Sequence, residues 1–161
     1  HGHRLPVDFS ALVQECLALA RTRYRLPAEA LTYRESPAQG EGRRVLGDED
    51  ELRAVVSNLV DNAIKYSGPE VQVAVELDQT DQTTIALRVR DKGTGISPGE
   101  RKRIFKRFYR IPGATRVKGT GLGLFIVRSV VARYNGRVFV ESEGLGRGSV
   151  FTVELPMVAP R

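Results

Sequence analysis

The sequence predicts an α+β fold: a two-layer α/β sandwich in which a mixed, mostly antiparallel sheet of about five strands is covered on one face by about three helices. Three observations carry this. Apolar residues recur at helical spacing in three separate stretches. Runs that alternate apolar and polar residues come as two hairpin-like pairs. Helices and pairs do not follow a strict strand–helix–strand order, which argues against an all-parallel sheet.

The first helix begins after Asp8, a suitable N-cap, and Leu12, Val13, Cys16, Leu17 and Ala20 form its apolar stripe. Residues 27–47 are broken by Pro and Gly, with room for short strands at 31–34 and 44–46. The clearest helix spans 48–66. Asp48 with Glu51 has the form of a capping box, and Leu52, Val55, Val56, Leu59, Val60, Ala63 and Ile64 line one side. Ser67-Gly68-Pro69 ends it. Strands at 71–77 and 84–89 follow, joined by a turn at 78–82. Ser97-Pro98-Gly99-Glu100 combines an N-cap, a first-position Pro and a third-position Glu, so a short helix is expected to start there. Residues 111–119 show no periodicity and read as a loop. A third helix covers 122–134 and stops at Asn135-Gly136. Strands at 137–142 and 149–155 close the chain around a Gly-rich turn at 143–148. No repeat or linker divides it, so residues 1–161 read as one domain.

At 161 residues and 41% hydrophobic content the chain has enough apolar material for a core, and 27% charged residues fit neither a disordered nor a membrane composition. No apolar run approaches the roughly 18–20 residues a spanning helix needs, and there is no signal-peptide core. A single cysteine, Cys16, excludes an internal disulfide; with His1 and His3 the only histidines, a Cys/His zinc site is excluded as well. The expectation is a reduced, cytoplasmic domain, with His1-Gly2-His3 read as a tag remnant. The formal charge of +6 favours an anionic partner, and residues 101–118 contain no acid. Alone, such a run is either a solvated face or a complement to an anion.

Three signals point to chemistry. On the 48–66 helix, Asn58, Asn62 and Lys65 fall at one edge of the apolar stripe, with Tyr66 on its border. Asn costs a few tenths of a kcal/mol in a helix interior relative to Ala. Two of them a turn apart are either exposed amides or hard oxygen ligands for Mg²⁺, with Lys65 beside them for phosphate charge. The second signal is Asp91-Lys92-Gly93-Thr94-Gly95-Ile96 after a strand. It is either a plain turn or a carboxylate for an exocyclic amine, with glycines admitting a flat ligand. The third is Gly119-Thr120-Gly121-Leu122-Gly123-Leu124 at a helix start, where backbone N–H groups can crowd around phosphate. Its spacing is not that of the dinucleotide fingerprint, and no Walker A pattern occurs.

In this order, with the basic run between the second and third signals, the sequence resembles the catalytic, ATP-binding domain of bacterial sensor histidine kinases. That family is a branch of the superfamily shared with gyrase, heat-shock chaperone and mismatch-repair ATPases. Asn58-Leu-Val-Asp-Asn62-Ala-Ile-Lys65-Tyr66-Ser67 is similar to the family's N box, and residues 91–96 to its G1 box. Phe105-Lys-Arg-Phe108-Tyr109-Arg110 is similar to the F box, residues 119–124 to the G2 box, and 144–149 with 151–156 to the closing strands. Lys92 and Lys118 depart from the usual Asn and Gly without removing a needed group.

The resemblance implies a Bergerat-type fold, ATP and Mg²⁺ as cofactors, and a catalytic set of Asn58, Asn62 and Lys65. Asn62 is expected to coordinate Mg²⁺ with Asn58 beside it near the triphosphate, Lys65 to contact phosphate and Tyr66 to stack on adenine. Asp91 is expected to accept a hydrogen bond from the adenine amine, with Gly93, Gly95 and Ile96 close to the base. Residues 97–118 are expected to form a mobile ATP lid; Phe108 lies within it, and Arg110, Arg116 or Lys118 reaches the γ-phosphate. Gly119, Thr120, Gly121, Leu122, Gly123 and Leu124 are expected around the phosphates, and Thr152 on a closing strand is a further nucleotide contact.

ATP-hydrolysing relatives typically carry Glu where this chain has Asn58, and an amide is a poor base, so slow hydrolysis is implied. No segment like the phosphoacceptor box is present, so the chain reads as a fragment that follows the dimerisation helices of a longer parent. The implied partners are that parent's dimerisation/phosphoacceptor domain and a response regulator receiver domain. Nucleic acid and membrane contact by this fragment are not expected, the fragment is expected to be monomeric, and a membrane-anchored parent is compatible. Two alternatives stay within the superfamily: a serine-directed kinase and a nucleotide-sensing module without transfer. A basic nucleic-acid binder fits poorly with 7% aromatics and no helix-turn-helix or stacking-sheet context.

Overall fold

The computed structural model describes residues 4–37, 43–107, 109 and 121–158. Strands β1 (Leu5–Asp8), β2 (Leu31–Glu35), β3 (Arg44–Gly47), β4 (Val73–Gln79), β5 (Thr84–Asp91), β6 (Arg137–Glu141) and β7 (Ser149–Pro156) accompany helices α1 (Phe9–Tyr24), α2 (Glu49–Lys65) and α3 (Gly123–Arg133). Five strands form one sheet in the order β2-β4-β5-β7-β6. β2 and β4 are parallel and the other neighbours antiparallel, so the sheet is mixed and mostly antiparallel, as expected. The parallel pair needs a crossover, and α2 lies in the connection between its strands.

Alternation along the strands sorts the sheet into two faces. Val73, Val75 and Leu77 of β4 share a face with Ile85, Leu87 and Val89 of β5 and with Phe151, Val153 and Leu155 of β7, and all nine are buried. They pack with the stripes of α1 and α2 into one core. The other face is a lattice of cross-strand ion pairs: Arg34 with Glu76, Arg88 with Asp78 at 2.7 Å, Arg137 with Glu154 at 2.5 Å. The neighbouring guanidinium, together with the Ser36 hydroxyl, holds Asp78 below its usual carboxylate range, with the Ser36 hydrogen bond the larger cause.

Several expectations are corrected. β3 does not join the main sheet but pairs antiparallel with β1, a strand no pattern predicted. Four residues containing a proline carry too little alternation to be recognised without their partner. β4 begins at Val73 rather than 71, because the Ser67 hydroxyl accepts the Gln72 N–H at 3.0 Å and holds the residues between as a turn. The Asp48 carboxylate caps α2 by accepting from the Asp50 and Glu51 amides at 2.8 and 3.1 Å. Glu51 does not complete the box: the Tyr134 hydroxyl stands between, accepting the Asp48 N–H at 2.9 Å and donating to Glu51 Oε1 at 2.7 Å.

After Ser97 there are two single 3-10 turns, Pro98–Glu100 and Arg103–Phe105, and the Ser97 side chain makes no capping bond. Ile104 and Phe105 are buried, and the Phe105 ring meets Phe151 edge-on at 6.1 Å between centroids. The opening part of the stretch expected to be a mobile lid is therefore fastened to the core. The rest of that stretch, apart from Tyr109, lies outside the described residues.

Candidate functional site

α2 carries the first group of expected site residues. Asn58 and Asn62 are four apart and so share one helix face. The Asn58 amide Nδ2 donates to the Ala54 carbonyl at 2.8 Å, which turns Oδ1 toward the start of α3. A Cβ on Gly123 would stand 3.0 Å from that oxygen, so glycine there lets the two helices approach. The Asn62 carboxamide is half-buried and makes no side-chain hydrogen bond to another described residue. Lys65 is exposed, and Tyr66 caps the helix half-buried.

The loop after β5 packs against that helix end. Thr94 N–H donates to the Tyr66 carbonyl at 3.2 Å, and a Cβ on Gly93 would fall 1.6 Å from the same oxygen. Only glycine can hold this approach. On its other side the loop is held by the β6–β7 turn: Gly146 N–H reaches the Thr94 carbonyl at 2.7 Å and Gly148 N–H the Gly93 carbonyl at 3.1 Å. Gly95 has φ of +69°, and Ile96 is buried.

Asp91 sits at the base of this loop, 4% exposed. Its Oδ1 accepts the Gly93 N–H at 2.8 Å and its Oδ2 the Ser149 hydroxyl at 2.7 Å. Burial pushes the carboxyl above its usual value, and the two donors oppose the shift without cancelling it. A carboxylate has about four acceptor positions, so two bonds leave it able to accept another.

The third group is described only in part. Gly121 has φ of +77°, Gly123 opens α3, and the N-cap Leu122 offers no side-chain bond to the first N–H groups of the helix. Leu124 follows in the first turn, partly buried against the core. The Arg107 guanidinium lies over the Phe125 ring at 4.8 Å and ties the preceding 3-10 segment to α3. Phe108, Arg110, Arg116, Lys118, Gly119 and Thr120 lie outside the described residues.

Thr152 is not brought to this group. It pairs with Arg88, three positions along β7 from the Asp91–Ser149 pair, and so faces the opposite side of the sheet, 2% exposed beneath the ion-pair lattice. Ser149, which the sequence reading passed over, is the β7 residue that meets Asp91. The parity of the strand would have shown this once the register was known.

The described residues contain no cluster of three or more His, Cys, Asp or Glu able to hold a metal, and no helix long and apolar enough to cross a membrane. Comparison with known proteins bears on the family and the fold. Residues 47–159 match the family described as histidine kinase-, DNA gyrase B-, and HSP90-like ATPase. The sensor protein SrrB of Staphylococcus aureus (strain NCTC 8325 / PS 47) is 41% identical over 111 residues, 68% of this chain and 19% of SrrB; the chain thus spans about a fifth of that relative's length. Among solved structures, the mycobacterial sensor histidine kinase MprB superposes with a TM-score of 0.80 at 31% identity, over 98% of this chain and 99% of the MprB chain. Full-length ShkA in complex with AMPPNP superposes with a TM-score of 0.79 at 29% identity, over 100% of this chain and 33% of ShkA. The chain belongs to the family of histidine kinase-, DNA gyrase B- and HSP90-like ATPases, as a histidine-kinase-type domain similar to those of sensor kinases.

Proposed function

We propose that the chain binds ATP with Mg²⁺ between α2, the 91–96 loop and the start of α3, and presents the γ-phosphoryl group to a histidine on a separate phosphoacceptor domain. The observation that carries this is Asp91: a buried carboxylate, braced by Ser149 and Gly93, that keeps acceptor capacity beside a glycine loop. It reads the adenine amine, with Gly93, Gly95 and Ile96 against the base and Tyr66 stacking on it. The AMPPNP complex of ShkA, similar over the whole of this chain, supports a nucleotide in this fold.

The donor set fits Mg²⁺. Asn62 offers a hard amide oxygen on a rigid helix with no competing partner among the described residues, and a metal with so few protein ligands is one held largely by phosphates and water. Asn62 would hold it, and when bound it would neutralise negative charge on the triphosphate. Lys65 and the backbone N–H groups at the start of α3, at Leu122, Gly123 and Leu124, bind phosphate, and Gly119, Thr120, Gly121, Phe108 and the basic residues Arg110, Arg116 and Lys118 belong to the nucleotide-binding set with them. In the transfer, the imidazole nitrogen forms a bond to the γ-phosphorus as the bond to the β–γ bridging oxygen breaks, and ADP leaves. The chain contributes positioning and charge. Asn58 cannot take a proton from water at neutral pH, so hydrolysis is slow and the phosphoryl group is kept for the histidine.

The partners in this reading are the dimerisation domain of a longer parent and a response regulator receiver domain, with 1–161 acting as one catalytic domain on the cytoplasmic side. Calorimetry with ATP, with and without Mg²⁺, tests the site: wild type binds more tightly with the metal, and Asn62→Ala removes that difference. An unchanged metal dependence in the variant defeats the assignment. Mixing the chain with a histidine-bearing dimerisation domain and ATP should then yield acid-labile phosphate.

A further inference from the structure

Ser142, at the end of β6, is assigned no role by the nucleotide-binding boxes, yet its hydroxyl is saturated. Ser142 Oγ accepts the Ile96 N–H at 3.1 Å and the Gly144 N–H at 3.2 Å, and it lies 2.7 Å from the Gly148 carbonyl, to which it donates. One donor and two acceptor positions are all that a hydroxyl has. The Ser142 carbonyl, in turn, takes a hydrogen bond from the Arg101 guanidinium. One half-buried residue therefore joins three segments that share no secondary structure: the 91–96 loop, the 143–148 turn and the first 3-10 turn beyond Ser97. The same turn reaches the loop a second time through Gly146 and Gly148.

We propose that Ser142 is a positioning residue for adenine recognition: its hydroxyl sets the height of the 93–96 backbone relative to the Asp91 carboxylate, so that base identity is read at a fixed distance. This rests on the reading of the Asp91 pocket as the adenine site. The physical reason is that loops carry little packing of their own, and the loop backbone here takes its position from hydrogen bonds to its neighbours. Without the hydroxyl, the Ile96 and Gly144 N–H groups and the Gly148 carbonyl lose their common partner, and the loop is free to settle elsewhere.

The test compares wild type, Ser142→Ala and Ser142→Thr by calorimetry with Mg·ATP and Mg·GTP, beside thermal melting. Ser142→Ala is expected to weaken ATP binding about tenfold or more and to reduce the ATP-over-GTP preference by a similar factor; Ser142→Thr, which keeps the hydroxyl, restores both to within about threefold of wild type. A purely structural serine lowers the melting temperature and leaves the ATP-over-GTP ratio alone, and that result overturns the proposal. So does failure of the Thr variant to restore the ratio. Amide hydrogen exchange in nucleotide-free wild type gives an answer that needs no variant: Ile96 and Gly144 are expected to be protected before ATP is added, and exchange at the rate of an open loop sinks the proposal. Absence of ATP binding by wild type is a separate result, which defeats the site reading and this inference with it.

Discussion

The two ends of α2 handle polar groups in opposite ways. At its N-terminus the helix is fastened from within: Asp48 caps, the Tyr134 hydroxyl bridges Asp48 N–H and Glu51, Arg133 pairs with Glu51 at 2.5 Å, and the Arg4 guanidinium covers the Tyr134 ring at 4.7 Å. Toward the C-terminus the helix presents Asn62 without a side-chain partner among the described residues, exposes Lys65, and stops against a glycine loop beside a buried carboxylate. Helical propensity and apolar stripe are continuous through both halves. Satisfied polar groups fasten an element to its fold; unsatisfied ones on a rigid support are where a ligand gains by binding.

The contrast can be attacked from several sides. Gly93→Ala has the largest expected effect, since its Cβ would fall 1.6 Å from the Tyr66 carbonyl. The loop must move, at a cost of about 1–3 kcal/mol or more in stability, and ATP binding is lost with it. Thermal melting and calorimetry on one preparation check both. Asp91→Asn comes next. Asn can still accept from Gly93 and donate to the Ser149 oxygen, so the fold is kept while ATP affinity falls about 10–100-fold, the worth of a hydrogen bond to a charged group. A variant that binds ATP as wild type does would remove Asp91 from the site.

The pH dependence of the same residue sharpens the comparison. Burial raises the Asp91 carboxyl above its ordinary value. Protonation withdraws the charged acceptor, so ATP affinity is expected to fall as pH drops through that raised value, earlier on the acid side than an exposed aspartate would allow. Stability without nucleotide runs the other way. The folded chain holds this proton more tightly than the unfolded one, so the contribution of Asp91 to stability declines as pH rises from the ordinary value through the raised one. Asp91→Asn should flatten both trends, read by calorimetry and melting from mildly acidic to neutral pH.

At the other end of the helix, Tyr134→Phe removes the hydroxyl that answers the Asp48 N–H and Glu51. It is expected to cost about 1–2 kcal/mol of stability while ATP affinity stays within about twofold, which would show that the two ends of α2 are energetically separate. A large loss of affinity would show instead that they are coupled. The smallest effect belongs to the open face of the sheet: Arg137→Ala breaks an exposed pair with Glu154 and should change stability by less than about 1 kcal/mol.

Much of this was legible in the residues. The stripes of α1 and α2, the β4–β5 and β6–β7 hairpins and the Asn helix followed by glycine loops are local patterns, and local patterns carry period and spacing. β1 was not legible, because a four-residue strand is defined by the partner it finds in β3. That Ser149 rather than Thr152 meets Asp91 was hidden for a related reason. Both are small hydroxyl residues on one strand, and only the register against β5 decides which side of the sheet each faces. Ser142 was not legible as a brace, because its bonds to Gly144 and Gly148 lie within a predicted turn while its bond to Ile96 spans 46 residues and depends on how that turn meets the 91–96 loop.

What the amino-acid order determined by itself was the set of elements and the chemical groups offered for a site: period and turn residues act over a few neighbours, and side-chain chemistry needs no fold to be named. What tertiary structure alone decided was which of those groups meet. Asp91 becomes a buried, braced carboxylate because β5 pairs with β7 in one register, and Tyr134 enters the α2 cap because α3 ends beside it. Such meetings depend on sums of packing over the whole core, and no window of sequence contains them.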